Sequence, residues 1–505
     1  MDPLSPLDAA FVEAEDEDPH VSMAIASIAV FEGPAPTYDE FVESIGQRLP
    51  LVPRYTQKLR TTPLRIGPPV WVDDPKFDIR YHIRHTALPQ PGGDDELAKL
   101  MARVMSQRLD RDHPLWEDWM VTGLADGRWA LISKVHHSMV DGVSGTDLYR
   151  VMFDTSPDAP PPTPTTDGRE PSNFELTTRA AASAFVLPIR GARAALGLVR
   201  RPPTAYRQTV GTLRALQKLM EAVPPAPPSS LSGPIGQQRR YTWVRVPLDD
   251  IRTIKRELGG TVNDAVLAAI GSGFRALLLS RGEMPVAGEV PSLVPVSLRA
   301  PGEEDIYENR VSAMIVDLPV HIPEPVEQLV AVRSHLRDLK ESGEAVAGQT
   351  FANIARFAPY PIVSLSRFGF RLPQREIVTV TTNVPGPKQT LYCLGRPVIE
   401  IVPYVPIAST VRIGVAIFSY GGQITFGITG DYDSCPDLDV LARGIHDGVA
   451  RLLEAASPRQ PGDTPTAGDT GPSVVRSIDV RPQKGTTPAT APRPVRHRQP
   501  ASRGR

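Results

Sequence analysis

The order of hydrophobic and polar residues divides the chain into short apolar runs and longer stretches with helical spacing. Apolar, β-branched runs bounded by Gly, Pro or polar clusters predict strands at 21–31, 129–135, 240–246, 377–382, 411–418 and 423–428. Apolar residues at intervals of three and four predict helices at 38–48, 94–109, 146–153, 261–280 and 437–455. Strands and helices that recur along most of the chain indicate an α/β protein.

Two proline-rich stretches interrupt this pattern near the middle of the chain. Residues 156–171 are mostly Pro, Thr and Asp, a composition typical of a linker, and residues 224–228 contain four prolines. An Ala- and Arg-rich stretch of helical composition, 176–222, lies between them. We therefore predict an N-terminal lobe, a linker and basic helical connector, a C-terminal lobe and a disordered basic tail, at 1–155, 156–239, 240–457 and 458–505.

Composition and charge narrow the classes of function. Hydrophobic residues make up 41% of the 505, which is enough for large cores, and the net charge of −2 gives no basic field for a nucleic acid. Cys393 and Cys435 are the only cysteines, too few for a disulfide framework or a four-thiolate zinc site. No secretory signal begins the chain and no uncharged run of 18 apolar residues occurs, so we expect a cytoplasmic protein.

One segment carries recognisable chemistry, and its sequence is His136-His137-Ser138-Met139-Val140-Asp141-Gly142. It lies between a predicted strand and a predicted helix, where rigid elements can hold catalytic side chains. A neutral imidazole can take a proton from an attacking hydroxyl and return it to a thiolate, so one histidine suffices for acyl transfer. Asp141 is too close in sequence for a serine-type triad and is expected to support the loop, and Gly142 permits the turn.

Three other interpretations compete with acyl transfer. Both histidines could be satisfied structural side chains. They could ligate zinc, although no further cluster at ligand spacing accompanies them, so we predict no metal. A serine hydrolase is the weakest alternative, since the chain has no Gly-x-Ser-x-Gly sequence.

The His-His-x-x-x-Asp-Gly segment resembles the active-site motif of the chloramphenicol-acetyltransferase-like superfamily, which includes peptide-synthetase condensation domains. Further blocks resemble the bacterial wax ester synthase/acyl-CoA:diacylglycerol acyltransferase family, and they follow that family's order over about residues 1–457. These blocks are 4–11, 71–78, Pro114-Leu115-Trp116-Glu117, Asn263-Asp264, Asn383-Val384-Pro385-Gly386-Pro387 and 426–431. One departure is His113, which stands before Pro114 where the family's pattern has Arg.

The resemblance implies two similar lobes, each a mixed sheet flanked by helices, with an active-site tunnel between them. It also implies transfer of a long-chain acyl group from acyl-CoA to the hydroxyl of diacylglycerol or a long-chain alcohol, with no cofactor because acyl-CoA is a substrate. His137 then corresponds to the general base, with His136, Asp141 and Gly142 as the rest of the motif. In the superfamily the aspartate pairs with an arginine, for which Arg299 is our candidate.

The remaining blocks allow both structural and functional interpretations. Asn383, beside a rigid Pro-Gly-Pro turn, is our first candidate donor to a reacting carbonyl, although it could simply cap the turn. Asn263 is the second candidate, and helix capping alone would also explain it, since either Thr261 or Asn263 could be the N-cap. Trp116 and its apolar neighbours are expected to form a packing joint.

The basic connector suggests where such an enzyme would act. Arginines scattered among Ala, Leu and Val in 176–218 could hold the protein on anionic lipid, although a solvated connector fits equally well. We therefore expect peripheral association with the inner face of the plasma membrane or with lipid inclusions, where diacylglycerol resides. Two rival functions stay open, namely a non-catalytic lipid-binding relative and an acyltransferase for another hydroxyl, such as a polyketide or sterol alcohol.

Overall fold

The computed structural model describes residues 4–61, 69–139, 152–159, 227, 229–297, 311–341 and 377–457. Residues 1–457 form one compact unit. The helices, numbered along the described residues, are α1 Pro6–Glu17, α2 Tyr38–Arg48, α3 Ile79–His82, α4 Asp94–Met105, α5 Leu248–Leu258, α6 Val262–Ser280, α7 Pro325–Glu341 and α8 Leu438–Ala456. The strands are β1 Ala24–Phe31, β2 Gln57–Arg60, β3 Val70–Asp73, β4 Ile83–Ala87, β5 Trp116–Thr122, β6 Trp129–His136, β7 Arg239–Pro247, β8 Pro291–Ser297, β9 Val311–Asp317, β10 Thr379–Pro385, β11 Tyr392–Cys393, β12 Arg396–Tyr404, β13 Ile413–Tyr420 and β14 Gln423–Asp431.

Two six-stranded mixed sheets form the centre of the fold. The first has the order β11-β12-β1-β6-β5-β4, and the second has the order β7-β14-β13-β10-β8-β9. In the first sheet only β4 and β5 are parallel, whereas in the second β10 runs parallel to both β13 and β8. A small β2-β3 hairpin stands apart. This arrangement confirms the predicted α/β class, and the tunnel stays a prediction.

The first sheet contains strands from both halves of the sequence. β12, from the C-terminal half of the chain, pairs antiparallel with β1, so that Ala26 lies opposite Tyr404. Sheet membership therefore does not follow the predicted division at residue 240, because β11 and β12 extend the sheet of the N-terminal half. The four predicted segments otherwise stay predictions, and most of the connector and all of 458–505 lie outside the described residues.

The two sheets approach each other closely where β14 passes β12. Gly427 is needed there, because a Cβ atom at this position would lie 1.8 Å from the carbonyl oxygen of Pro403. The hydroxyl of Tyr241 donates a hydrogen bond to the same carbonyl. Nearby, Arg245 of β7 forms ion pairs with Asp94 of α4 and Glu400 of β12. A close backbone approach, a hydrogen bond and an ion pair thus join the two sheets.

Helices α6 and α8 pack through small residues. A Cβ at Gly273 would lie 2.6 Å from Ile445, and one at Gly448 would lie 2.8 Å from Ser272, so glycine lets these helices approach. By length and composition α6 resembles a membrane-spanning helix, but 67% of its apolar window is buried in the core of the second sheet. Such burial is ordinary for the core helix of a globular protein.

Most of the predicted elements are confirmed where the structure describes them. Helix α2 has the predicted ends, and a capping box at Thr37 fixes its start. The predicted β13–β14 hairpin turns at Gly421 and Gly422, whose positive φ values of 57° and 80° suit a tight two-residue turn. The helix predicted at 146–153 lies outside the described residues except for its last two positions.

Candidate active site

The two histidines stand where β6 leaves the first sheet. His136 is the last residue of β6 and lies opposite Ala24 of β1. Its backbone N–H donates to the carbonyl of Leu115 (2.9 Å), and the N–H of His137 donates to the carbonyl of Met23 (3.0 Å). The backbone of the pair is therefore held from both sides before the chain turns into the short 3-10 turn His137–Met139.

The ring of His136 is buried and its proton position follows from its partners. Nδ1 accepts the backbone N–H of Ser138 (3.2 Å) and lies 2.7 Å from the Ser138 hydroxyl. Because a backbone N–H only donates, Nδ1 must be the unprotonated nitrogen, and the ring proton is on Nε2. Nε2 lies 3.4 Å from Oε1 of Glu15, which is longer than an ordinary hydrogen bond. The described residues offer Nε2 no closer acceptor.

Glu15 is a buried carboxylate on α1 that sequence reasoning missed. Its Oε1 accepts the N–H of Met23 (2.7 Å), and its Oε2 accepts from Arg111 (3.0 Å). Burial alone would raise the pKa of this carboxyl, but the contacts with His136, Met23 and Arg111 outweigh burial and lower the pKa to about 2. The carboxylate is therefore ionised throughout the physiological range.

His137 has a different environment from its neighbour. It is half-buried, and its ring lies 4.1 Å from the ring of Phe11, measured between centroids. His136 points into the core and meets Glu15, so the two imidazoles do not share one environment. Asp141, Gly142 and Arg299 lie outside the described residues, and the predicted pairing of Asp141 with Arg299 stays a prediction.

The Pro114-Leu115-Trp116 block packs as predicted. Trp116 is 1% exposed, and its indole N–H donates to the carbonyl of Tyr55 (2.8 Å). Its ring also stacks on His82, with centroids 4.5 Å apart. Because Leu115 also accepts the N–H of His136, this packing joint supports one side of the histidine pair.

His113, the departure from the family's pattern, lies beside a buried carboxylate. Its Nδ1 is 3.8 Å from Oδ2 of Asp74, whose side chain is 1% exposed. Lys58 lies 2.9 Å from the other oxygen of the same carboxylate. A cation thus neutralises Asp74 whatever the protonation state of His113.

The two candidate asparagines are in contact. The amide nitrogen of Asn383, on β10, donates to Oδ1 of Asn263, in the first turn of α6 (3.3 Å). The N-cap of α6 is Thr261, which forms a capping box with Asp264. Asn263 is therefore not the cap, and its amide is directed to Asn383 instead.

The Asn-Val-Pro-Gly-Pro turn is anchored on β13. The N–H of Gly386 donates to the carbonyl of Ser419 (3.1 Å), and a Cβ at Gly386 would lie 2.2 Å from that oxygen. Glycine is needed at this close approach. The turn thus has a structural role, as one of the two interpretations predicted, while Asn383 at its start makes the contact with Asn263.

A small apolar cluster connects the histidine side of the site with β10. Its buried members are Val21, Ile235, Ile407 and Val411, and Met23, Ile377, Val380 and Ala408 pack against them. Met23 is the residue whose carbonyl binds His137, and Val380 precedes Asn383 by three residues, about 10 Å along an extended strand. The cluster therefore connects the segment that holds His137 with the strand that carries Asn383.

The sequence contained a signal for α1 that could have led to Glu15. Ser5 caps the helix, with Pro6 in its first turn and Asp8 at N3, a pattern that marks a helix start. Phe11 and Glu15 are then four residues apart and share one face. Among the described residues, no three His, Cys, Asp or Glu side chains converge as a metal site.

Comparisons with known proteins agree on one family. The model of the wax ester synthase/diacylglycerol acyltransferase catalytic domain matches residues 4–266, and that of the family's C-terminal domain matches residues 307–452. A Mycobacterium tuberculosis protein named "Probable diacylglycerol O-acyltransferase tgs1" is 40% identical over 471 residues, 91% of this chain and 97% of that protein. Another relative from this organism, also named as a diacylglycerol O-acyltransferase, is 33% identical over 455 residues, 90% of this chain and 91% of that protein.

Solved structures give the same result. The wax ester synthase/diacylglycerol acyltransferase from Marinobacter aquaeolei VT8 superposes with a TM-score of 0.63 at 25% identity, covering 90% of this chain and 99% of that one. The first condensation domain of the CDA synthetase shares the fold, with a TM-score of 0.55 at 15% identity over 90% of this chain and 96% of that one. The predicted two-lobe, chloramphenicol-acetyltransferase-like fold is therefore confirmed. This chain is an acyltransferase that belongs to the wax ester synthase/diacylglycerol acyltransferase family.

Proposed function

We propose that the chain transfers a long-chain acyl group from acyl-CoA to the hydroxyl of diacylglycerol or a long-chain alcohol, with His137 as the general base. Membership of the family supports the reaction, and the relatives named as diacylglycerol O-acyltransferases favour diacylglycerol as acceptor. The role of His137 rests on a single observation, which is that the two histidines have different surroundings. His136 is 2% exposed and committed to Glu15 and Ser138, whereas His137 is half-buried at the strand end.

The reaction needs one base and no covalent enzyme intermediate. The acceptor hydroxyl gives its proton to the His137 imidazole while its oxygen attacks the thioester carbonyl. The tetrahedral intermediate then collapses, the carbon–sulfur bond breaks, and the thiolate of CoA takes the proton from the imidazolium. The enzyme returns to its starting state with an ester and free CoA as products.

The asparagine pair is our candidate for stabilising the oxyanion that forms during attack. Asn383 uses one amide N–H on Asn263, which fixes the orientation of both side chains and leaves a second N–H for a substrate oxygen. Asn263 lies in the first turn of α6, where the helix dipole favours negative charge. Removal of one such donor typically lowers the rate about 100- to 1,000-fold.

If diacylglycerol is the acceptor, the enzyme must act where this lipid is found. Because this lipid stays within membranes and lipid inclusions, we propose peripheral association with the cytoplasmic membrane surface or with inclusions. The basic connector at 176–222 is our candidate contact by its composition, and it lies outside the described residues.

An acceptor panel tests the proposed function. Purified enzyme is incubated with radiolabelled palmitoyl-CoA and diacylglycerol, hexadecanol, a sterol or a short polar amine, and the products are separated by thin-layer chromatography. We expect ester with diacylglycerol and hexadecanol. Product from the amine or the sterol alone would contradict the lipid assignment, and absence of any transfer would favour the lipid-binding relative.

His137→Ala tests the mechanism in the same assay. We expect turnover to fall about 100- to 10,000-fold, the usual contribution of a positioned general base. His446→Ala is the matched control, because this histidine is exposed on α8, outside the candidate site. Wild-type turnover in the His137 variant would refute the general-base role.

A further inference from the structure

We propose that Glu15 is a positioning residue for the general-base histidine, fixing the tautomer of His136 and the backbone of His137. This inference rests on the proposed function of His137 and extends it to residues that do not touch substrate. It follows from a chain of contacts. The buried carboxylate of Glu15 contacts the side chain of His136, and it also binds Met23, whose carbonyl holds His137.

The two oxygens of the Glu15 carboxylate join three parts of the fold. Oε1 accepts the N–H of Met23 (2.7 Å) and lies 3.4 Å from Nε2 of His136, while Oε2 accepts from Arg111 (3.0 Å). The carbonyl of Met23 in turn accepts the N–H of His137. A shift of the carboxylate therefore affects both the ring of His136 and Met23, the residue that anchors His137.

Helix α1 reaches His137 a second time through Phe11. Phe11 precedes Glu15 by four residues, so both side chains lie on one face of the helix, and the Phe11 ring packs on the His137 imidazole at 4.1 Å. The helix is itself fixed at its C-terminal end, because Arg108 donates to the carbonyls of Glu15 and Val21. Helix α1 thus holds His136 through the carboxylate of Glu15 and His137 through the ring of Phe11.

The charge of Glu15, and not only its shape, is central to this role. The side chain is 3% exposed, and an ionised carboxylate is retained in the core only when its partners compensate the lost hydration. Its negative charge favours the ring proton of His136 on Nε2, which leaves Nδ1 free to accept from Ser138. A neutral amide in place of the carboxylate keeps the volume but can donate as well as accept, so only the Ser138 N–H then favours this tautomer.

The test compares Glu15→Gln with Asp16→Asn. Asp16 is the neighbouring acidic residue and pairs with Arg111 through its other nitrogen, and its side chain is 29% exposed, whereas that of Glu15 is 3% exposed. We expect Glu15→Gln to lower kcat about 10- to 100-fold with the KM for palmitoyl-CoA changed less than about twofold, as for lost partners of oriented histidines. We expect Asp16→Asn to keep kcat within about twofold. Equal losses in the two variants would overturn the proposal.

A spectroscopic readout separates positioning from general stability. Enzyme labelled with ¹⁵N-histidine should show the Nε2–H tautomer for the His136 signal, which is assigned by its disappearance in His136→Gln. Glu15→Gln should shift this signal toward a mixture of tautomers, and Asp16→Asn should leave it unchanged. An unchanged tautomer in Glu15→Gln would overturn the proposal.

A second variant covers the case in which Glu15→Gln does not fold. Phe11→Leu leaves every charge in place and removes only the ring that packs on His137, so we expect a lower kcat with an unchanged KM and an unchanged His136 tautomer. Wild-type kcat in this variant would overturn the role of α1. Wild-type activity in His137→Ala, by contrast, would refute the general-base role on which this inference rests, so the two failures are distinguishable.

Discussion

Asp118 should make the protein less stable as the pH rises, and Asp118→Asn should remove this dependence. The residue lies in β5, opposite Ser133 of β6, and is 3% exposed. Within the described structure its Oδ2 has no hydrogen-bond partner. Burial raises the pKa of this carboxyl from its ordinary value of 3.8 to about 7, and a hydrogen bond with Ser133 offsets only part of that effect.

The sign and size of the effect follow from proton linkage. Between pH 3.8 and about pH 7 the folded protein keeps the proton that the unfolded chain has already released, so stability falls as the pH rises through this window. The cost is about 2 kcal/mol at pH 5 and about 4 kcal/mol at pH 8. Asparagine is neutral at both pH values. The stability of Asp118→Asn relative to wild type should therefore increase by about 2 to 3 kcal/mol from pH 5 to pH 8.

Urea unfolding followed by tryptophan fluorescence at pH 5, 6, 7 and 8 measures this difference. The useful quantity is the change with pH in the difference in unfolding free energy between Asp118→Asn and wild type. Any constant cost of burying the asparagine amide cancels in this change. Asp126→Asn is the control, since the side chain of Asp126 is 83% exposed and its charge needs no desolvation. A difference between Asp118→Asn and wild type that stays constant from pH 5 to pH 8 would refute the reasoning.

Three further predictions concern packing, the motif loop and the tail. Gly427→Ala should lower the melting temperature, because its Cβ would lie 1.8 Å from a carbonyl oxygen of β12, whereas Gly46→Ala, with 3.6 Å to its nearest neighbour, should not. Asp141→Ala should cost about 3–5 kcal/mol if it leaves a buried Arg299 unpaired, and a double-mutant cycle in urea should then show coupling between them. Deletion of 458–505 should preserve acyl transfer in detergent and the melting temperature, and weaken salt-sensitive binding to anionic vesicles.

Hydrophobic periodicity predicted the elements whose signals are local. Helix α2 and the β13–β14 hairpin were predictable because a cap, an amphipathic face and a Gly-Gly turn are all encoded within a few residues. The pairing of β12 with β1 was not predictable in this way, since Ala26 and Tyr404 are distant in sequence. No pattern within either strand specifies which sheet the strand joins. The local elements therefore followed from the sequence, and the exchange of strands between its halves did not.

In the candidate site, too, the residues that are adjacent in sequence were predictable and the distant contacts were not. The histidine motif was recognisable because its members are adjacent in the chain, whereas Glu15 reaches His136 across more than a hundred residues. Acidic residues in a helix are usually solvated, so the capping pattern marked the start of α1 but did not show which of its acidic residues is buried. The buried charge of Glu15 is compensated by Arg111, which lies in a distant part of the sequence.

For Asn263, the contacts in the structure separate the two roles that the sequence allowed, which are helix capping and contact with a reacting carbonyl. From the sequence, Asn263 could cap α6 or serve a reacting carbonyl, and either role suits an amide at a helix start. The structure gives the cap to Thr261 and Asp264, which satisfy each other's backbone N–H groups. Since Asn263 is not needed for that purpose, its contact with Asn383 requires another explanation. Two amides that orient each other near a helix N-terminus would suit the preorganised donors of the oxyanion site that we propose.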